Sequence, residues 1–307
     1  MYERDFSITD DLVRDFLEID NRKIHVAKLG SGRPLLLIHG WPEFWVTWLP
    51  LSKYLKKDYQ LIIPDLYGFG LSDKPNKIMD NLDANFHSEY LIKIMDNYGL
   101  KDFVIITHDI GSWIAQSLMK EHPNRVNGGI FFNCPTSSVS LNWIKDGHFN
   151  EIWYMSFQQL ELSTKLVGYN KETCKLYFEF ILNHWSYQKN SFDNIIDEWV
   201  DNFMQPNSLE GGFSWYKSMN KYRIESINSA INNKNNFNNT IDIIDTPCFA
   251  YWGKFDPVLK SEWTKFLPNH FSNIKVELAE DAGHFVQVEI PEKCYNKVKM
   301  FLNKINY

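Results

Sequence analysis

The chain predicts an α/β architecture, a mostly parallel sheet with helices on both faces and an inserted helical region. Two observations predict it. Short apolar runs of strand length alternate with segments of helical period, the pattern of a parallel sheet covered on both sides. The alternation breaks after Pro135, gives way to amphipathic, aromatic-rich segments, and resumes at Pro247. Residues 1–135 and 240–307 are therefore expected to form one core domain, and residues 136–239 a helical cap.

Taken in order, residues 23–29 roughly alternate apolar and polar side chains, as in a half-exposed strand. Leu35-Leu36-Leu37-Ile38 is a continuous apolar run suited to a strand buried on both faces, and it ends at His39-Gly40-Trp41-Pro42. A helix over 46–55 follows, entered through Phe44, Trp45 and Trp48. Leu61-Ile62-Ile63 is a short strand opening into a glycine-punctuated loop, Asp65 to Ser72. Residues 83–98 carry Phe86, Tyr90, Leu91, Ile94 and Met95 near a 3.6-residue period. Phe103-Val104-Ile105-Ile106 reads as a strand, Asp109 as the tip of a sharp turn with Gly111 two places on, and the next segment as a helix that ends before His122-Pro123. Residues 129–132 form another strand. Beyond the insertion and a polar, asparagine-rich linker over 232–239, residues 247–252 and 274–278 are strands and residues 291–302 a closing amphipathic helix.

Composition narrows the function. The chain has 307 residues, is 44% hydrophobic and 16% aromatic, and carries a net charge of -6, which argues for a soluble protein and against general nucleic-acid binding. No apolar window has the length of a membrane span, and the charged start Met1-Tyr2-Glu3-Arg4-Asp5 lacks the apolar core of a signal peptide. The four cysteines, Cys134, Cys174, Cys248 and Cys294, lack metal-ligand spacing. Reduced thiols, a cytoplasmic location and no metal or organic cofactor are expected. The oligomeric state is left open between monomer and homodimer.

Three polar residues close three predicted strands: Asp109, Asp256 and His284. The carboxyl ends of parallel strands form the ligand-binding edge of such a sheet. An ionised aspartate attacking saturated carbon leaves an ester, which a histidine-activated water can hydrolyse; a serine would leave a stable ether. The expected roles are Asp109 as nucleophile, His284 as base towards water and Asp256 as the group that fixes the imidazole tautomer. Backbone N–H groups of Trp41 and Ile110 are the expected oxyanion donors. Ordinary structural duties compete with each role, since Asp is favoured in turns, Asp256 precedes Pro257 at a possible cap, and His284 suits a buried structural position. His39 and His108 flank the site and read as loop-shaping residues. Asn133 ends the preceding strand but, as an amide, cannot serve as the acid.

With these residues in hand, the chain resembles the epoxide hydrolase and haloalkane or haloacetate dehalogenase branch of the α/β-hydrolases. The likeness rests on His39-Gly40-Trp41-Pro42, the Asp65–Ser72 loop, the small-x-Asp-x-small elbow at Asp109, and Asp256 and Gly283-His284 in the order nucleophile, acid, histidine. It spans residues 35 to 285 and is closest to the epoxide hydrolases. Haloalkane dehalogenases usually place a Trp directly after the nucleophile, where this chain has Ile110. Haloacetate dehalogenases place arginines one and four residues after it, where this chain has Ile110 and Trp113. Epoxide hydrolases donate a proton to the opening ring from two cap residues, commonly tyrosines. Ser214-Trp215-Tyr216-Lys217-Ser218-Met219 matches the second of these motifs, with Tyr216 as donor. Trp153-Tyr154-Met155-Ser156-Phe157 occupies the region of the first, with Tyr154 as donor, or Ser156 if the alignment slips by two. Trp41, Trp113, Trp153 and Phe157 are the expected substrate-pocket residues. The resemblance implies hydrolysis of a small apolar epoxide to a vicinal diol through an ester on Asp109. The alternative substrate is halogenated, and a non-catalytic small-molecule binder is the reading from a different class.

Overall fold

The computed structural model describes residues 11–232 and 242–307. The asparagine-rich stretch and the extreme N-terminus lie outside the described residues. Eight strands form one sheet in the order β1-β2-β4-β3-β5-β6-β7-β8. They are β1 (Val13–Ile19), β2 (Arg22–Leu29), β3 (Arg33–Ile38), β4 (Tyr59–Pro64), β5 (Phe103–His108), β6 (Val126–Phe132), β7 (Cys248–Gly253) and β8 (Ile274–Ala279). β1 pairs antiparallel with β2 and β2 antiparallel with β4; the pairings from β4 through β3, β5, β6 and β7 to β8 are parallel. β5 and β7 are buried along their whole length, which explains why they read as apolar runs and not as alternating strands.

The helices, in chain order, are α1 (Leu49–Leu55), α2 (Ala84–Asn97), α3 (Ile110–Glu121), α4 (Trp153–Phe157), α5 (Glu161–Val167), α6 (Lys171–Trp185), α7 (Ile196–Phe203), α8 (Ser208–Ile231), α9 (Val286–Glu289) and α10 (Pro291–Lys304). Between β6 and β7 every described element is helical, α4 to α8 following two 3-10 segments, Ser137–Trp143 and Lys145–Asn150. Among the described residues no helix is long and apolar enough to cross a membrane.

Two features depart from the sequence expectation. β1 was not anticipated, because Arg14, Asp15 and Glu18 break its apolar pattern. It is an edge strand, held to β2 by a two-residue turn in which Asp20 and Asn21 both have positive φ, 49° and 59°. The single helix expected over 46–55 is a 3-10 turn, Trp45–Trp48, followed by α1. Pro50 has no N–H to donate to the preceding turn, so the α-helix begins where Pro50 falls in its first turn.

The helical insertion is seated on the core through backbone and short side chains. Met79 N–H donates to Ser214 Oγ at 2.8 Å and Leu82 N–H to Ser218 Oγ at 2.9 Å. Trp199 Nε1 donates to the Pro42 carbonyl at 2.6 Å. Gly211 of α8 lies so close to Gly68 that a Cβ there would stand 2.1 Å from the Gly68 carbonyl oxygen.

Alanine normally stabilises a helix interior relative to glycine. Here Gly211→Ala is expected to destabilise the protein by about 1–3 kcal/mol, because backbone meets backbone and neither can yield cheaply. Thermal denaturation reads this directly, and a raised midpoint would mean that α8 does not sit against the Gly68 loop.

Candidate active site

β5 hands its chain to α3 through Asp109, whose φ of 48° and ψ of -118° are strained for a residue with a Cβ. Asp109 is 8% exposed. The turn can be this sharp because Gly111 passes under β3: a Cβ at Gly111 would lie 2.6 Å from the Ile38 carbonyl oxygen. A side chain two residues from the tip is thus excluded, and the tip itself projects from the carboxyl edge of the sheet.

The loop after β3 meets that carboxylate. Trp41 N–H donates to Asp109 Oδ1 at 2.9 Å, and the Ile110 N–H lies near enough to favour the charged carboxylate. Burial raises the Asp109 pKa above the usual carboxylate value, while His284, His108 and these two N–H groups oppose the rise.

His284 follows β8. Its Nδ1 meets Asp256 Oδ2 at 2.8 Å, and its Nε2 stands 3.9 Å from Asp109 Oδ2, too long for a hydrogen bond. That Nε2 has no partner among the described residues, although the ring is fully buried. Burial alone would lower the imidazole pKa; Asp256, with Asp109 and Glu43 behind it, raises it to about 9. Asp256 follows β7 and is fixed from three directions. Its Oδ1 accepts from the N–H groups of Val258 and Leu259 at 2.8 and 2.9 Å, and its Oδ2 accepts from Asn133 Nδ2 at 2.5 Å. Asn133, at the end of β6, has a φ of 53°, accepts from Gly253 N–H at 2.8 Å and donates to the His284 carbonyl at 3.1 Å. The residue that cannot be the acid therefore holds the acid in place.

A third buried carboxylate beside the site is Glu43, which no motif in the sequence marks. Its Oε2 accepts from Gly40 N–H at 2.7 Å and meets His108 Nδ1 at 2.5 Å; Oε1 accepts from Thr47 Oγ1, and from Gln287 Nε2 at 2.7 Å. His108 Nε2 in turn donates to the His284 carbonyl at 2.8 Å. Burial works to raise the Glu43 pKa, but His108 and the other donors hold it below the normal value. Its one sequence signal is an acid in the aromatic stretch directly after Pro42. His39 accepts from Leu66 N–H at 3.1 Å and so braces the adjoining loop.

Above Asp109 lies a cavity of about 140 Å³, lined by Ile110, Trp113, Trp143, Tyr154, Trp215, Tyr216, Met219 and Arg223 among others. Tyr154 and Tyr216 meet edge to face with ring centroids 5.3 Å apart, and burial first, with Asp109 behind it, raises both phenol pKa values well above normal. The Trp41 ring stacks on Tyr154 with centroids 5.1 Å apart and meets Tyr216 edge-on at 5.4 Å. It lies behind the tyrosines and does not line the cavity, contrary to its expected place as a pocket residue. Trp153 and Phe157 are also misplaced in the sequence reading. They form an i,i+4 pair on the side of α4 turned from the cavity, Trp153 is 42% exposed, and both pack on Tyr177. Ser156 is exposed, which leaves Tyr154 as the α4 hydroxyl at the cavity. Among the described residues no His, Cys, Asp and Glu cluster fits a metal ion, and the four cysteines are buried free thiols.

A carboxylate cradled by N–H groups, an imidazole aimed beside it and two phenols opposite are what nucleophilic catalysis at carbon followed by hydrolysis requires. Residues 33–291 match the family model described as alpha/beta hydrolase fold. The chain belongs to that family. Among curated relatives it is 26% identical to epoxide hydrolase 1 of Caenorhabditis elegans over 94% of this chain and 70% of that protein. It is 25% identical to the soluble epoxide hydrolase of Corynebacterium sp. (strain C12), over 89% of this chain and 91% of that one. The solved structure of the epoxide hydrolase CorEH without ligand superposes with a TM-score of 0.80 at 21% identity, covering 96% of this chain and all of that one (100%).

Asn133→Ala is expected to cost roughly 1–3 kcal/mol, since it strips partners from buried Asp256 and Gly253 N–H. Asn133→Gly, which tolerates the positive φ, should recover only part of that loss in chemical denaturation. Full recovery would assign the whole effect to the backbone.

Proposed function

We propose that the protein is an epoxide hydrolase that works through an ester on Asp109. The observation that carries this reading is the pair of protonated phenols, Tyr154 and Tyr216, facing Asp109 across an apolar cavity. Relatives named epoxide hydrolases over most of the chain support it.

Asp109 attacks a ring carbon. The carbon–oxygen bond of the epoxide breaks, and the leaving oxygen takes a proton from a phenol. Tyr154 and Tyr216 both line the cavity beside Asp109, so either phenol can supply that proton. A phenol serves here because it stays protonated at neutral pH yet is far more acidic than the alkoxide it meets. Water then enters beside His284 Nε2, gives up a proton to it and adds to the ester carbonyl carbon of Asp109. The Trp41 and Ile110 N–H groups meet the resulting oxyanion. On collapse the departing alkoxide oxygen takes the proton held by His284, which completes the diol, and the new carboxyl, holding one oxygen from water, gives up its remaining proton to restore the carboxylate and the phenol. Epoxide and water give diol, with no other reactant. The helical insertion acts as the cap that supplies the phenols and excludes bulk water. The two phenols lining the cavity suit an opening epoxide oxygen, which needs a proton, whereas a halide leaves without one.

In the resting site His284 is protonated below about pH 9, partly because Asp109 is anionic. Esterification removes that charge, so the imidazole pKa falls and the base becomes available nearer neutrality. The rate of ester hydrolysis is expected to rise with pH and level off below pH 9. Single-turnover kinetics test this, and a rate independent of pH from 6 to 9 would remove His284 as the base.

His284→Gln should accumulate an adduct on the Asp109 peptide, visible by mass spectrometry, when offered an epoxide. No adduct with any epoxide would sink the mechanism, whereas halide release from haloalkanes without diol formation would move the protein to the dehalogenases. Tyr216→Phe should slow ester formation about 100-fold. An unaltered rate in stopped-flow measurements would take Tyr216 out of the reaction.

A further inference from the structure

The cavity does not stop at the reacting groups. It continues along α8, where Tyr216, Asn220, Arg223 and Ile227 recur at helical spacing and line one wall. The walls around them are mostly aromatic and aliphatic, including Trp143, Trp215 and Leu259. Among the described lining residues only Asp109 and Arg223 carry charge.

Arg223 is poorly served by the protein. A guanidinium has five N–H donors. Here one goes to Asn220 Oδ1 at 2.9 Å and one to the Met155 thioether sulfur at 3.2 Å, a weak acceptor. No carboxylate pairs with it among the described residues. A half-buried cation without an anion is costly, and burial pulls on its pKa accordingly. The site is thus a planar, forked donor on the wall of a mostly apolar channel, with no carboxylate partner among the described residues.

We propose that Arg223 is a carboxylate-binding subsite, and that the substrates of this cavity carry an acid group at the end remote from the reacting centre. The first part stands on the cavity alone; the statement that the reacting centre is an epoxide rests on the function proposed above. Seven residues separate Tyr216 from Arg223, two turns or ~10 Å along the helix axis. Long helical side chains lean towards the N-terminus, so the guanidinium ends nearer the phenols than its Cα does. An acid group and a reacting ring joined by a short alkyl segment would span the two. One guanidinium matches one carboxylate in charge and in bidentate geometry. A phosphate monoester near -2 would lack a second cation in the lining.

The test uses the full chain and two probes, decanoate and decanamide, equal in length and differing in charge. Calorimetry should find wild type binding the acid at least ~10-fold more tightly than the amide, about what one charge-assisted contact supplies. Arg223→Gln should bring that ratio close to one, and Arg223→Lys should keep part of it. An unchanged ratio in Arg223→Gln, or an equal loss for both probes, would overturn the subsite. Neither probe contains an epoxide, so the result stands apart from catalysis. The matching kinetic arm compares kcat/KM for an epoxy-alkanoic acid and its amide. Turnover with an acid preference that vanishes in Arg223→Gln supports both readings. Preferential binding of decanoate with no turnover of either epoxide supports the subsite and counts against the epoxide reading alone.

Discussion

Glu43, Asp109 and Asp256 all lie out of water at the carboxyl edge of the sheet, and each depends on the N–H and O–H groups that converge on it. Glu43 collects donors from Gly40, Thr47, His108 and Gln287, and is held more acidic than a free glutamate. Asp256 collects Asn133, Val258, Leu259 and His284. Asp109 is served by fewer donors than Glu43, and its pKa ends above the usual carboxylate value where that of Glu43 ends below. The difference follows from solvation by the protein: a buried anion is tolerated in proportion to the donors supplied to it. The two well-supplied carboxylates are locked, and the poorly supplied one keeps an oxygen turned towards the cavity.

The two imidazoles link these anions into one unit. His108 ties Glu43 to the backbone of His284, and Asn133 ties Asp256 to the same carbonyl. His284 therefore has its ring set by Asp256 and its main chain set by two side chains from β5 and β6. Removing one such member strands its partner in a dry site, which is why residues with no reach to the cavity still matter to its chemistry.

Strands buried on both faces were legible because nothing polar interrupts them, as β3, β5 and β7 show. β1 was not, because an edge strand alternates with charge, although the Asp20-Asn21 turn signal was present in the sequence. Asp109, Asp256 and His284 stood out as polar residues ending apolar runs. Glu43 did not, and Asn133 was legible as a strand end but not as the support of Asp256, since the partners Gln287 and Asp256 lie 244 and 123 residues away. The pocket residues of α4 were misjudged because a helix of five residues offers no periodicity from which to infer its inward side. Arg223 sits on a long, largely polar helix beside Lys217 and Lys221, where one more cation looks like ordinary surface until the cavity is seen.

Trp41 touches both halves of the site. Its main chain holds the Asp109 carboxylate, and its ring backs Tyr154 and Tyr216. One rigid residue thus acts as a gauge block between carboxylate and phenols, buried at 0% exposure and unable to slide. Under the proposed chemistry, a substrate must close that preset gap with its reacting ring, whatever its tail. Tolerance for the ring would then be narrow and tolerance for the tail broad, so that relatives could diversify along α8 while the gauge stayed the same.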